Sequence, residues 1–329
     1  MRRWFYNRTV ARVGICRQLH AFHHYRLWQT FLEELGFEVV LSAKTTRTTV
    51  ELGVRVAPAE LCLPVKAFLG HVQQLSGMVD ILFLPRLVCY RLGHDWFFGC
   101  PKALALPDLT RALFSGLRDV ELVIDERRFS LERAFGELAG RLGAGRKEWR
   151  EALRKARLAA VEADARIRAD GSPRHLFEQP QPADSQQLTA DRRPKIGLIG
   201  HQYLVFDDVL TLGILDRLRQ CGAEVVVHFP DCDELTAEAR LGNAPNWFYE
   251  LELLAAARSL LQQRSVDGIL LLSSFACGTA PVTNEIIRRE VEKGTNIPTL
   301  TLLLDEHTAE AGLITRLESF VDLLTVKRS

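Results

Sequence analysis

No stretch of this 329-residue chain approaches the roughly 18 consecutive apolar residues of a membrane helix, so no membrane partner is expected. Charge of one sign is lacking as well: 42 Lys and Arg stand against 41 Asp and Glu. The arginine-rich stretches are interleaved with glutamate and leucine, which argues against nucleic acid. The opening Met1-Arg-Arg-Trp-Phe-Tyr-Asn-Arg8 has no apolar core of the signal-peptide kind, and a cytoplasmic location is the expectation. Three signatures are missing: a Walker loop, a Gly-x-Gly-x-x-Gly turn and any Cys-x-x-Cys pair. The glycines of Ile196-Gly-Leu-Ile-Gly-His-Gln-Tyr203 follow a strand-like run but do not make a dinucleotide fingerprint.

Hydrophobic residues make up 47% of the chain, enough for substantial cores, and the length suits about two domains. The first third alternates strand-like and helix-like runs. Arg12-Val-Gly-Ile-Cys16 reads as a strand, Tyr25 to Leu35 as a helix stopped by Gly36, and Phe37 to Ser42 as a strand. A helix over Val65 to Leu75, a strand over Asp80 to Leu84, a helix over Pro107 to Leu117 and a strand over Val120 to Ile124 follow. Between Ser130 and Ala169 the composition shifts to Glu, Arg, Ala and Leu, which gives two helices, the second from about Lys147. Residues 171–193, with Pro173, Pro180 and Pro182, read as a linker. The second α/β pattern runs through strands at Lys195 to Gly200, Ala223 to Val227, Gly268 to Leu272 and Thr299 to Leu304. Its helices are expected over Val209 to Gln220, Trp247 to Gln263, Asn284 to Lys293 and Gly312 to Leu324. The fold expected is α/β: two Rossmann-like, flavodoxin-like parallel-sheet domains over 1–125 and 194–329, joined by a helical segment and linker over 126–193.

Seven cysteines without a secretory signal leave thiols for metal, redox work or packing instead of a disulfide framework. Cys62 stands two residues before Pro64, which suits a first helical turn and a stabilised thiolate. Cys100 opens Cys100-Pro-Lys102, where the lysine can offset negative charge, and Cys277 follows the run Gly268 to Ala276. Loops at the carboxyl ends of parallel strands are where ligand sites form, so converging thiolates there point to a soft metal centre. Taken one at a time, each reads rather as a small buried hydrophobe, and spacing alone does not overturn that. Cys89 also follows a strand-like run and is a candidate fourth ligand, and Cys16 reads as a rim residue. Cys221, at a helix end, and Cys232, in the polar loop Asp231-Cys-Asp-Glu, read as structural. His20, His23 and His24 invite a zinc reading, but no acidic or thiol partner lies at helical spacing, so a polar helix start is the reading preferred.

Several blocks together resemble the 2-hydroxyacyl-CoA dehydratase and benzoyl-CoA reductase superfamily of iron–sulfur proteins, and within it the family related to acyl-CoA dehydratase activases. They are Val13-Gly-Ile-Cys-Arg17, Phe31 to Ser42, Ala59-Glu-Leu-Cys-Leu-Pro-Val-Lys66, Leu84-Pro-Arg-Leu87, Cys100-Pro-Lys102 and Leu106-Pro-Asp108. In the C-terminal half they are Gly200-His-Gln-Tyr203 with Phe206-Asp207, Ser274-Phe-Ala-Cys-Gly278, and Asp305 to Gly312 leading into Arg316-Leu-Glu318. The resemblance implies a [4Fe-4S] cluster held by Cys62, Cys100 and Cys277 in an inter-domain cleft, surrounded by Lys102, Arg86, His201, Tyr203 and Glu306. It implies a partner, an ATP-dependent activase of the actin/Hsp70-like class that passes low-potential electrons, and a service to the dehydration or reduction of an acyl-CoA. Lys102 and Arg86 are expected to meet an acidic surface of that activase. Cys16 and Gln202 stand where the family pattern has proline, and Cys89 where it has no cysteine; three thiolates leave the cluster open at one iron, and Cys89 is the candidate that could close it. Two other functions stay open at this point: a non-catalytic accessory or scaffold for cluster delivery, and a metal-free α/β small-molecule-binding protein.

Overall fold

The computed structural model describes residues 11–177, 193–242 and 244–328. They divide into two compact units, Met1–Arg166 with Asn246–Phe248, and Ile167–Pro245 with Tyr249–Ser329. Most of the expected linker over 171–193 lies outside the described residues, and its described start holds one 3-10 turn, Pro173–Leu176. No helix of the described residues is long and apolar enough to cross a membrane.

In the first unit β1 (Arg12–Ile15) leads into α1 (Ala21–Glu34), where Phe22, Tyr25, Trp28, Phe31 and Leu32 recur at helical spacing and are buried. After Gly36, which takes φ 85°, β2 (Glu38–Leu41) lies parallel to β1. The run that forms α2 (Arg47–Val56) is rich in β-branched residues and carries Gly53, so propensity alone does not announce a helix. Its start is fixed by Thr46, whose hydroxyl accepts the Thr49 amide at 3.1 Å while the Thr49 hydroxyl accepts the Thr46 amide at 3.0 Å. Next comes α3 (Leu63–Leu75), almost wholly buried.

The strand expected to end at Leu84 continues as β3 (Ile81–Leu92). At Pro85 it is paired with one neighbour only, because its ladder to β1 stops at Leu82, so the missing N–H is tolerated as on an edge strand. Its far end turns through Gly93-His94, with Gly93 at φ 62°, into the antiparallel β4 (Asp95–Phe98). Then follow α4 (Pro101–Leu104), α5 (Leu106–Leu113) and β5 (Asp119–Asp125), which pairs in parallel with β3. The expected pair of helices is α6 (Leu131–Arg141) and α7 (Arg146–Asp170). The sheet order is β2-β1-β3-β4, with β5 on β3.

The second unit begins with β6 (Lys195–Ile199), α8 (Gln202–Val205) and α9 (Ile214–Gln220). The helix expected from Val209 starts five residues late because Leu212 and Gly213 take left-handed φ values of 55° and 72°. The chain before them is held by Asp207, whose Oδ1 accepts the amides of Val209 and Leu210 at 3.1 and 3.2 Å. β7 (Glu224–Val226) precedes α10 (Cys232–Arg240), so Cys232 opens a helix and does not sit in a loop. Asp231 and Glu234 form the reciprocal cap that starts it. The remaining elements are α11 (Phe248–Gln262), β8 (Gly268–Ser274), α12 (Ala280–Gly294), β9 (Thr299–Leu304) and α13 (Glu310–Arg328). The sheet is parallel throughout in the order β7-β6-β8-β9. All of β8 is buried, the reading of its apolar run as a central strand, and it packs with Leu254, Leu260 and Ile287 in one core.

Candidate functional site

Both sheets have a switch point, because the chain leaves one central strand to opposite sides, and the crevice outside the carboxyl ends there is where α/β folds place ligands. In the first unit the switch lies between β1 and β3. Cys16 follows β1 directly and is buried, which pushes its thiol well up. Cys89 lies in β3 at a break in the ladder to β5, fully enclosed, with its Sγ 3.7 Å from the carbonyl oxygen of Tyr90. Burial raises its pKa too, against an opposing pull from Arg127.

Cys62 is the residue before α3, with Pro64 in the first turn, and Cys100 is the residue before α4, with Pro101 next. Proline there fixes φ and removes an amide that would have no helical partner. The two segments are tied together: Lys102 Nζ donates to the carbonyl of Glu60 at 2.6 Å, two residues past Cys100 on one side and two short of Cys62 on the other. The lysine expected to offset cluster charge thus also joins the two cysteine segments. Arg86 differs from its expected docking role. Its guanidinium is engaged by the carboxylate of Glu121, by Asp108 at 2.9 Å and by the carbonyl of Leu104 at 2.7 Å, so its charge is answered within the unit.

In the second unit the switch lies between β6 and β8. His201 comes off the end of β6 and Cys277 off the end of β8. The turn after β8 closes with the amide of Cys277 on the carbonyl of Ser274 at 3.1 Å, and Ala276 takes φ 61°, a value that favours glycine. That backbone fixes where Cys277 sits. Its Sγ accepts the amide of Ala280 at 3.5 Å and lies 3.7 Å from the hydroxyl of Thr279. Glu250, in the first turn of α11, takes His201 Nε2 on Oε1 at 3.1 Å and the Thr279 hydroxyl on the same oxygen at 2.5 Å. The ring of Tyr203 stacks on His201 at 4.9 Å. His201, Glu250 and Cys277 bring one ligand atom each to within 4.8 Å of one another, and they are the only such group of three among the described residues. Glu306 lies in the turn after β9, outside this group.

Burial alone would lower the His201 pKa; the charge and hydrogen bond of Glu250, helped by Cys277 and Glu252, outweigh it and hold the imidazole above its ordinary value. For Glu250 burial pushes up, while His201 and the Thr279 hydroxyl pull further down, so the carboxyl is held below its ordinary value. Glu250 has no place in the sequence reading. Its signal is positional: it shares a helix face with Leu253, Leu254 and Ala257, all buried, and a carboxylate on an apolar face needs a partner.

The histidines at the start of α1 are not a polar helix start. His20 is enclosed and burial, with the neighbouring His23, pushes it down to about 3; His24 is lowered likewise and meets the Tyr90 hydroxyl at 3.2 Å. His71, lowered to about 4 by burial and by Arg17, meets the Thr45 hydroxyl at 3.1 Å. Three histidines that stay neutral when folded but protonate near 6.5 when unfolded make the unfolded chain bind more protons as pH falls. Stability should therefore drop below about pH 6.5 by up to about 1.4 kcal/mol per unit for each, until the folded values are reached. His201, raised, works in the opposite direction, one against three. Urea midpoints should be lower at about pH 5 than at about pH 7, and His71→Gln should flatten the slope. Equal midpoints would contradict this.

A family model described as CoA enzyme activase uncharacterised domain matches residues 12–229. The span holds Cys62, Cys89, Cys100 and His201 and ends ahead of Glu250 and Cys277. A search of curated proteins gave no match.

Proposed function

This chain belongs to the family of the CoA enzyme activase uncharacterised domain, and on that premise we propose that it is the iron–sulfur partner of an ATP-dependent activase of the actin/Hsp70-like class. The family supports an acyl-CoA enzyme-associated role, and the reaction served in this reading is the dehydration or reduction of an acyl-CoA. Cys62, Cys100 and Cys277 are the thiolates of a [4Fe-4S] cluster. The observation that carries the reading is the Lys102–Glu60 bond, because it draws the segment ahead of Cys62 to the turn that begins at Cys100. The donors suit the group. None of the three is in a disulfide, and Cys62 stands at the N-terminus of a 13-residue helix whose dipole favours a thiolate. Cys277 accepts a backbone amide.

When bound, such a cluster supplies one-electron chemistry at low potential. The protein's own residues do the positioning: Pro64 and Pro101 set the helix starts, Lys102 joins the Cys100 segment to the Glu60 carbonyl, and the Ala276 turn fixes Cys277. In this reading the energy for low-potential reduction comes from ATP hydrolysis by the partner. The isolated protein should hydrolyse no ATP. Its cluster should be reduced efficiently only with activase and ATP together, followed by loss of visible absorbance; equal reduction by activase alone, ATP alone and the pair would remove the activase from the account.

A further inference from the structure

His201 and Glu250 are 6% and 1% exposed, and an enclosed pair of ionisable groups is costly unless its remaining lone pairs and protons are used. Here they are used on one side only. Oε1 of Glu250 accepts both hydrogen bonds, from His201 Nε2 and from Thr279, and Oε2 makes no hydrogen bond of normal geometry among the described residues, with the Thr283 hydroxyl also pulling on the carboxylate. On the ring, Nε2 is the nitrogen that meets Glu250, which leaves Nδ1 for another partner. An imidazole whose one N–H donates to a buried carboxylate offers its other nitrogen as an oriented lone pair, which is how metal-ligating histidines are commonly held. Beside the ring stands Cys277, whose Sγ lies within 4.8 Å of a ring nitrogen and of a Glu250 carboxylate oxygen and is fixed by its own turn.

We propose that His201 is a nitrogen ligand, through Nδ1, of the metal centre that Cys277 helps to hold, with Glu250 as the carboxylate that sets its tautomer and orientation. The inference rests on the reading of Cys277 as a thiolate ligand. It replaces Cys89 as the source of the fourth ligand, since that thiol is fully enclosed in β3 and turned to the carbonyl of Tyr90. A neutral imidazole leaves the cluster one negative charge short of an all-thiolate set, which raises its potential. Glu250 is a positioning residue acting through His201, and Thr279 is one that touches both the Glu250 carboxylate and the Cys277 sulfur.

The test uses the full chain, purified without oxygen, with its histidines labelled with nitrogen-15 and the cluster reduced by one electron. Pulsed EPR should show a directly coupled nitrogen that is lost in His201→Ala and kept in His94→Ala, an exposed histidine in the β3–β4 turn. Glu250→Gln should retain iron and alter the coupling. A paramagnetic cluster with no coupled nitrogen, or a coupling that survives His201→Ala, overturns the proposal and leaves the cluster reading standing. Protein without iron sinks the cluster reading instead, and cobalt(II) then decides. Thiolate-to-cobalt absorption lost in both His201→Ala and Cys277→Ser supports the ligand pair, and its absence in the wild type overturns it.

Discussion

Serine at Cys62, Cys100 or Cys277 should each lower the protein's affinity for iron by about 10- to 100-fold or more, because an alcohol is a poor ligand for a soft centre that thiolates hold. Two other cysteines set the baseline. Cys232 is exposed at the start of α10 and Cys221 lies at the end of α9, so Cys221→Ser and Cys232→Ser should keep the iron of the wild type. Iron and sulfide measured per chain on the five variants, with circular dichroism to confirm folding, checks the assignment. Equal iron in all five would show that the ligand set is wrong. Cys62 and Cys100 should respond alike, since Lys102 ties their segments into one.

The second large effect concerns the helix that carries Cys62. α2 and α3 cross at Gly53 and Gly70 with their backbones in contact. A Cβ added at Gly53 would stand 1.7 Å from the carbonyl oxygen of Lys66, and one at Gly70 would stand 1.9 Å from that of Thr49. Neither obstacle is a side chain that can turn aside. Alanine in an ordinary helix gains about 1 kcal/mol over glycine, so the two effects oppose each other. The clash should win, because relieving it means moving one helix against the other, and Gly53→Ala or Gly70→Ala should cost at least about 3 kcal/mol. Denaturant unfolding measures it. Iron content should fall along with stability if α3 holds Cys62 where the metal needs it, and an unchanged midpoint would mean that the two helices have room to separate.

The sequence made some elements plain and hid others for physical reasons. β8 is a continuous apolar run, Gly268 to Leu272, and the fold buries every residue of it. α1 is legible from its aromatic stripe. By contrast α2 is built from β-branched residues and is stabilised by its cap and its crossing with α3, neither of which propensity measures. Pro85 reads as the end of a strand, yet β3 passes through it because one side of the ladder is absent there. The cysteines stood out in the sequence. Of the group around Cys277 the resemblance had named His201 and Tyr203 but not Glu250 or Thr279: Glu250 lies 27 positions before Cys277 in sequence, and its tie to His201 and Thr279 is a matter of folding three segments onto one point. The bond from Lys102 to the Glu60 carbonyl was equally hidden, since any residue supplies a carbonyl.

The account stands most directly on the metal. Anaerobic purification followed by iron, sulfide and visible absorption should find about four irons and about four sulfides per chain with a brown chromophore, the content of one cubane. A colourless protein free of iron and sulfide after anaerobic purification and cluster reconstitution would contradict it.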